Sequence, residues 1–457
     1  MGTDLMDRDS GGAPEPCELL ITCDYALLPE MKLATDIGIA VQDGRIVGLA
    51  PLAEIRQRFA PAVTVEGKGK VALPGFVDAH THAAQQLLRG RIVDQLPMVW
   101  ARILVPYESA LTAEEVYAGA RLCCIELLRN GFTAFAEAGG PHAEQIARAA
   151  AECGLRACIT RSTMDCGAFV PPTMLDTVDG AIGKTEALYE AWNGAANGRV
   201  RIWFSIRQVM TATPELILAT AERANALGTG LHLHLAEYPA EINHCLVNYQ
   251  RRPAEWLNDL GILNANVLAA HAIRLTDREA IMLAETGARV VHCPPTNLSN
   301  NGFGKTPLLQ ALGAPVGLGS DGAAHYGADP FRLMRLLKYS VQAAHGLPVD
   351  DPVALSVVDA LRMATQGGAS ALMMEQEIGS LAVGKRADVV LLAWQQPHLW
   401  PTHDLLEALV LAGRGSDVRD VIVDGQILLR DGQFLHLDEQ AIMAEAERCL
   451  QVIATRG

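Results

Sequence analysis

Between Val71 and about Met374, short apolar runs alternate with stretches of helical spacing, and this alternation constrains the fold more than any other feature of the chain. The strand-like runs cover residues 71–77, 132–137, 155–161, 200–206, 230–235, 267–271, 288–292 and 315–320. Helix start signals lie between them: Thr112 three residues before Glu115, Thr276 three before Glu279, and Thr213 followed by Pro214. Strand–helix repetition predicts a parallel sheet, and eight such units predict an α/β fold, a TIM-like (β/α)8 barrel.

The two ends read differently. Residues 18–23, 37–42 and 45–49 look like strands with a hairpin turn at Asp43-Gly44. Residues 387–392, 418–424 and 426–430 repeat the pattern around Asp424-Gly425. The expected division is a loose, disordered tail over 1–16, a small β-sandwich formed from both chain ends (17–70 and 376–436), the barrel over 71–375, and a closing helix over 437–457.

Half of the 457 residues are hydrophobic and 19% are charged, which suits a large core and excludes a disordered or coiled-coil chain. A formal net charge of −15, with no block of Lys or Arg, excludes nucleic acid and anionic membrane surfaces as partners. No apolar run is long enough to span a bilayer, and the acidic N-terminus lacks the pattern of a secretion signal. Ten cysteines without a Cys-x-x-Cys pair read as buried thiols of a reducing, cytoplasmic compartment.

Barrel chemistry gathers at the C-terminal ends of the strands. His80 and His82 close the first strand, His234 and Glu237 the fifth, His271 the sixth, His292 the seventh and Asp321 the eighth. Strand alternation puts His80 and His82 on one side. Three imidazoles and a carboxylate (His80, His82, His234, Asp321) suit a divalent transition metal with a water in the open position. Glu237 stands just past its strand, placed to take a proton from that water without being a ligand. His271 either orients the water or is a core histidine bonded to a backbone carbonyl. His232 points inward one layer deeper, in a packing role. His292, before Cys293-Pro294-Pro295, has no assigned role.

The segments 73–82 (LPGFVDAHTH), 234–237 (HLAE), 270–271 (AH) and 319–322 (GSDG) resemble the amidohydrolase superfamily. They are most similar to its aminohydrolase branch of adenosylhomocysteine/methylthioadenosine deaminases, guanine and pterin deaminases, and triazine hydrolases. The likeness continues through residues 378–388 (IGSLAVGKRAD). It implies one Zn2+ per chain, Fe2+ in some members, held by His80, His82, His234 and Asp321. Catalysis would rest on Glu237, His271 and Asp321, with ammonia leaving a ring carbon attacked by activated water.

For substrate binding, Glu108 resembles the carboxylate with which nucleoside deaminases of the branch grip ribose, and Arg161 a substrate-side arginine. Arg207 stands where those enzymes carry a histidine. It looks more like the guanine deaminases, where arginine meets an oxo group, and Gln208 would serve the same ring. His325 reaches towards the pocket. The resemblance implies a hydrolytic deaminase of an amino-substituted N-heterocycle, with oxopurine or pterin rings expected ahead of adenine nucleosides. The alternatives are an adenosylhomocysteine/methylthioadenosine deaminase, or a triazine hydrolase removing chloride or alkylamine. A non-catalytic barrel is disfavoured because no ligand is missing. Expected partners are the small heterocycle, water and further copies of the chain as a homo-oligomer.

Overall fold

The computed structural model describes residues 13–95, 98–325 and 327–456. Most of the expected tail lies outside the described residues. By Glu15 the chain is already in a strand, with Glu15 and Pro16 in register with Phe59 and Ala60. The first five strands are β1 (Glu15–Leu27), β2 (Leu33–Gln42), β3 (Arg45–Pro51), β4 (Phe59–Val65) and β5 (Lys70–Pro74). They join strands from the far end of the chain in one nine-stranded sheet. β1 makes this possible by its length. One edge pairs with β2, while the other pairs first with β4 and then with β5. The expected sandwich is therefore hydrogen-bonded continuously, and both chain ends share one core, with Ile21, Ile39, Val65, Val389 and Ile422 in it.

The barrel strands are β6 (Phe76–Thr81), β7 (Phe132–Glu137), β8 (Arg156–Ile159), β9 (Val200–Ile202), β10 (Phe204–Gln208), β11 (Leu231–Leu235), β12 (Val267–His271), β13 (Arg289–His292) and β14 (Val316–Leu318). All their pairings are parallel. Two expectations change here. The run 71–77 is two strands, β5 in the end sheet and β6 in the barrel, separated at Gly75. A side chain there would place its Cβ 2.0 Å from Thr133 Oγ1, so only glycine allows the chain to cross between the two sheets. The run 200–206 is likewise broken at Trp203. Trp203 N donates to Ile159 O (2.9 Å) and Phe204 N to Gly230 O (3.0 Å), so the fourth strand changes partner within one residue. On the opposite side Asp321 N donates to His80 O at 2.9 Å and joins the last strand to the first.

All three helix starts form as capped ends. Thr112 and Glu115 make a capping box before Ala113–Arg129, Thr276 and Glu279 another before Asp277–Thr286, and Thr213 caps Pro214–Ala226. The far end supplies β15 (Val389–Ala393), β16 (Val418–Val423), β17 (Gln426–Arg430) and β18 (Gln433–Phe434), then a helix over Glu439–Ala454. A buried ion cluster joins barrel to sheet. Arg156 Nε and Nη2 bind Asp388 (2.8 and 3.0 Å), and Nη2 also binds Asp424 (2.9 Å). Among the described residues no helix is long and apolar enough to cross a membrane.

Candidate active site

The strand ends carry their functional groups on strained backbone. Ala236, His271, Ala272 and Asp321 all have positive φ, between 50° and 67°. Non-glycine residues in this region cost on the order of 1–3 kcal/mol each, and surrounding structure must hold them there. Glu241 holds one such turn, its carboxylate accepting from Ala236 N (2.8 Å) and Glu237 N (2.9 Å). Asp78 holds another by accepting from Ser320 N (2.8 Å) and Ser320 Oγ (2.6 Å), immediately before Asp321.

Within this frame His80, His82, His234 and Asp321 converge. His82 Nε2 and His234 Nε2 are 3.3 Å apart, His80 Nε2 is 3.1 Å from Asp321 Oδ1, and His82 Nε2 is 3.4 Å from the same oxygen. Four donors about 2.0–2.1 Å from a tetrahedral ion stand about 3.3–3.4 Å from one another, so this spacing fits a bound transition metal. Proton positions agree. His80 Nδ1 lies 2.8 Å from His232 Nε2, so a proton shared there leaves the His80 Nε2 lone pair facing the site. Burial, then the Arg207 guanidinium, holds His82 well below the ordinary imidazole range; burial, then His80, does the same for His234. Burial pushes Asp321 up, but His325, the His80 hydrogen bond and His271 outweigh it and hold the carboxyl well below the usual range. Neutral imidazoles and an ionised carboxylate are the ligating forms.

Glu237 is 3% exposed, with Oε1 accepting from Asn301 Nδ2 (3.1 Å) and Oε2 3.7 Å from His271 Nε2. Burial and the nearby Asp321 charge push its carboxyl well above the usual range. His271 Nδ1 is held by Asn297 Nδ2 (3.0 Å), while its Nε2 is buried with no hydrogen-bond partner. That free nitrogen is what a group orienting water needs. His292 Nδ1 bonds the His271 carbonyl (2.9 Å), and His325 Nε2 stands 3.6 Å from Asp321 Oδ2.

The remaining predicted residues are Arg207, Glu108, Arg161 and Gln208, with Gln208 in register with His234. The two terminal nitrogens of Arg207 are engaged, while its Nε is buried without a partner. Nη2 donates to Glu108 Oε1 (3.1 Å) and Nη1 to the Gly139 carbonyl. Glu108 is 1% exposed, yet its Oε2 has no partner; it lines a cavity of about 540 Å3 together with Arg161 and Ser162. Arg161 Nη2 binds Asp176 Oδ2 (3.0 Å), and its Nη1 is buried without a partner. Gln208 is buried with Oε1 unpartnered. Sequence reasoning missed Gln85, Asn297, Asn301 and Glu241, and gave His232 only a packing role. His232 alone carried a readable signal, its shared strand face with His234.

Residues 71–428 match the amidohydrolase family. The chain belongs to that family. This amidohydrolase is 37% identical to the 5-methylthioadenosine/S-adenosylhomocysteine deaminase of Pelotomaculum thermopropionicum, over 90% of this chain and 92% of that protein. It is 32% identical to the 5'-deoxyadenosine deaminase of Methanosarcina mazei, over 92% and 94%. A crystal structure of an adenosine deaminase from Xanthomonas campestris with bound zinc superposes with a TM-score of 0.90 at 32% identity, covering 97% of this chain and 100% of that one. The enzyme is a hydrolytic deaminase, acting on carbon–nitrogen bonds other than peptide bonds.

Proposed function

We propose that this amidohydrolase is a zinc-dependent deaminase of adenosine-type nucleosides, with 5'-substituted nucleosides such as 5-methylthioadenosine among its substrates. The observation that carries this reading is Glu108, a buried carboxylate whose Oε2 has no partner. An unpartnered buried acceptor calls for a ligand with hydroxyl donors, which a ribose has and a free base lacks. The expectation of an oxopurine or pterin rested on Arg207 donating to a ring oxygen, and its Nη2 and Nη1 are already engaged by Glu108 and Gly139. The nucleoside deaminases among the relatives support the same choice.

In this reading His80, His82, His234 and Asp321 hold the zinc. The ion, when bound, supplies the Lewis acidity that makes water a nucleophile near neutral pH. Glu237 takes one proton from the attacking water and passes it to the ring nitrogen, then takes the second from the new hydroxyl and passes it to the departing amine. Its burial favours the protonated form that the second half of this task requires. Asn301 fixes one oxygen of Glu237 and leaves the other towards His271, whose free Nε2 orients the water. Ammonia release from 5-methylthioadenosine, S-adenosylhomocysteine, 5'-deoxyadenosine and adenosine, compared with guanine and a pterin, tests the reading. Turnover of the nucleosides at higher kcat/KM supports it; turnover of guanine or the pterin in their place overturns it.

A further inference from the structure

The β10–β11 ladder shifts register between Ile206 and Gln208, so Arg207 is the extra residue of a bulge. A bulge re-aims one side chain, and such features cluster beside functional sites. Here the re-aimed group is a guanidinium at 2% exposure, planar, with donors only. It reaches two different segments, a short helix (Val105–Ala110) and a turn. One is the segment carrying Glu108, which it meets through Nη2 at 3.1 Å; the other is the turn after β7, which it meets at the Gly139 carbonyl. Gln85 Nε2 adds a second donor to the same Glu108 oxygen, at 2.6 Å. Oε1 of Glu108 therefore carries two donors and Oε2 none. Gly140, next to the carbonyl that Arg207 grips, lines the same cavity as Glu108.

We infer that Arg207 is a positioning residue that sets sugar recognition. It rests on the nucleoside reading above and goes beyond it. By occupying Oε1 and anchoring Gly139, Arg207 locks the Glu108 carboxylate in one orientation and leaves Oε2 as an acceptor for the vicinal hydroxyls of a ribose. A carboxylate free to rotate, or to pair with another donor, would reward a hydroxylated sugar much less. A fixed, desolvated acceptor rejects a ligand lacking the matching hydroxyl, because it is then left unpaired. The same contacts commit Nη1 and Nη2: turning them towards a ring oxygen would strip Glu108 of a buried partner, and only the buried Nε stays uncommitted.

The test compares adenosine with 2',3'-dideoxyadenosine as substrates of the zinc-loaded wild type, Arg207→Met, Arg207→Lys and Glu108→Gln. The wild type should favour adenosine in kcat/KM by about 10²-fold or more. Arg207→Met should lower that ratio at least about tenfold, chiefly through the KM for adenosine, with Arg207→Lys retaining part of it. In the Glu108→Gln background, Arg207→Met should lower the ratio no further. An unchanged ratio, equal losses on both nucleosides, or additive losses in the double variant would overturn the inference. If Arg207→Met does not fold, Arg207→Lys alone decides by the same ratio. Failure of the nucleoside reading shows separately, as a wild type that deaminates neither nucleoside but does deaminate guanine or a pterin.

Discussion

Glu237 and His82 belong to the same site and make opposite predictions. Glu237 is held through Asn301 and by backbone braced on Glu241, so Glu237→Gln should keep its metal while turnover falls at least about 10²-fold. His82→Ala removes a donor and should lose most of the metal together with the activity; metal analysis beside steady-state kinetics separates the two. Glu137 gives a pH prediction. It is fully buried and accepts from Ala83 N, and burial, reinforced by Glu108 and opposed by that hydrogen bond, pushes its carboxyl up to about 8. The unfolded value is about 4.3, so between about pH 4 and 8 the unfolded chain releases a proton that the folded chain keeps. Stability from this group is therefore fully present at low pH, falls as pH rises through that window, and is constant above it. Thermal denaturation of Glu137→Gln should show a Tm gap to wild type that shifts in favour of the variant from pH 5 to pH 8. Such residues differ in how far a sequence shows them. His80, His82, His234, His271 and Asp321 could be picked out because each closes an apolar strand. The partner of Arg207 could not, because Glu108 lies 99 residues away and no spacing rule links them.

At the scale of elements, strand ends and breaks decide where side chains arrive. Gly319 follows β14, and a Cβ there would stand 2.8 Å from both the Cβ and the carbonyl oxygen of His80. Gly319→Ala should force β6 and β14 apart where the barrel closes. The expected cost is about 1–3 kcal/mol in denaturant unfolding, with weaker metal retention than wild type. A variant with wild-type stability and metal content would show that the closure can give. Strand–helix alternation and helix caps were legible because periodicity and capping are local. The Pro74-Gly75 turn signal marks a break within the first run but not the change of sheet, and at Trp203 the run continues through the break. Only the three-dimensional partners, Thr133 for one and Ile159 with Gly230 for the other, reveal that the chain changes sheet or neighbour there.

Across the whole molecule, the end sheet and the barrel are joined by few polar residues at high density. Arg156 on β8 is 1% exposed and binds Asp388 and Asp424, which flank β15 and β16; Arg386 Nη1 adds a further contact to Asp424 at 3.0 Å. Removing one partner from such a cluster leaves uncompensated buried charge. Arg156→Leu should lower unfolding stability by about 3–5 kcal/mol, measured by denaturant titration, whereas an exposed pair such as Arg251–Asp259 should contribute under about 1 kcal/mol. Equal effects from the two pairs would show that the junction is not held by this cluster.

His80 and Asp321 face each other across the closing seam of the barrel although 241 residues separate them in the chain. During synthesis the first of these donors emerges long before the second, and no fragment that ends short of the last strand contains the full set. On the proposed ligand set, cofactor loading would be a completion check written into chain order. Molecules stalled with an open barrel would carry little tightly held metal, and the metal-to-protein ratio of a preparation would count the molecules that finished folding.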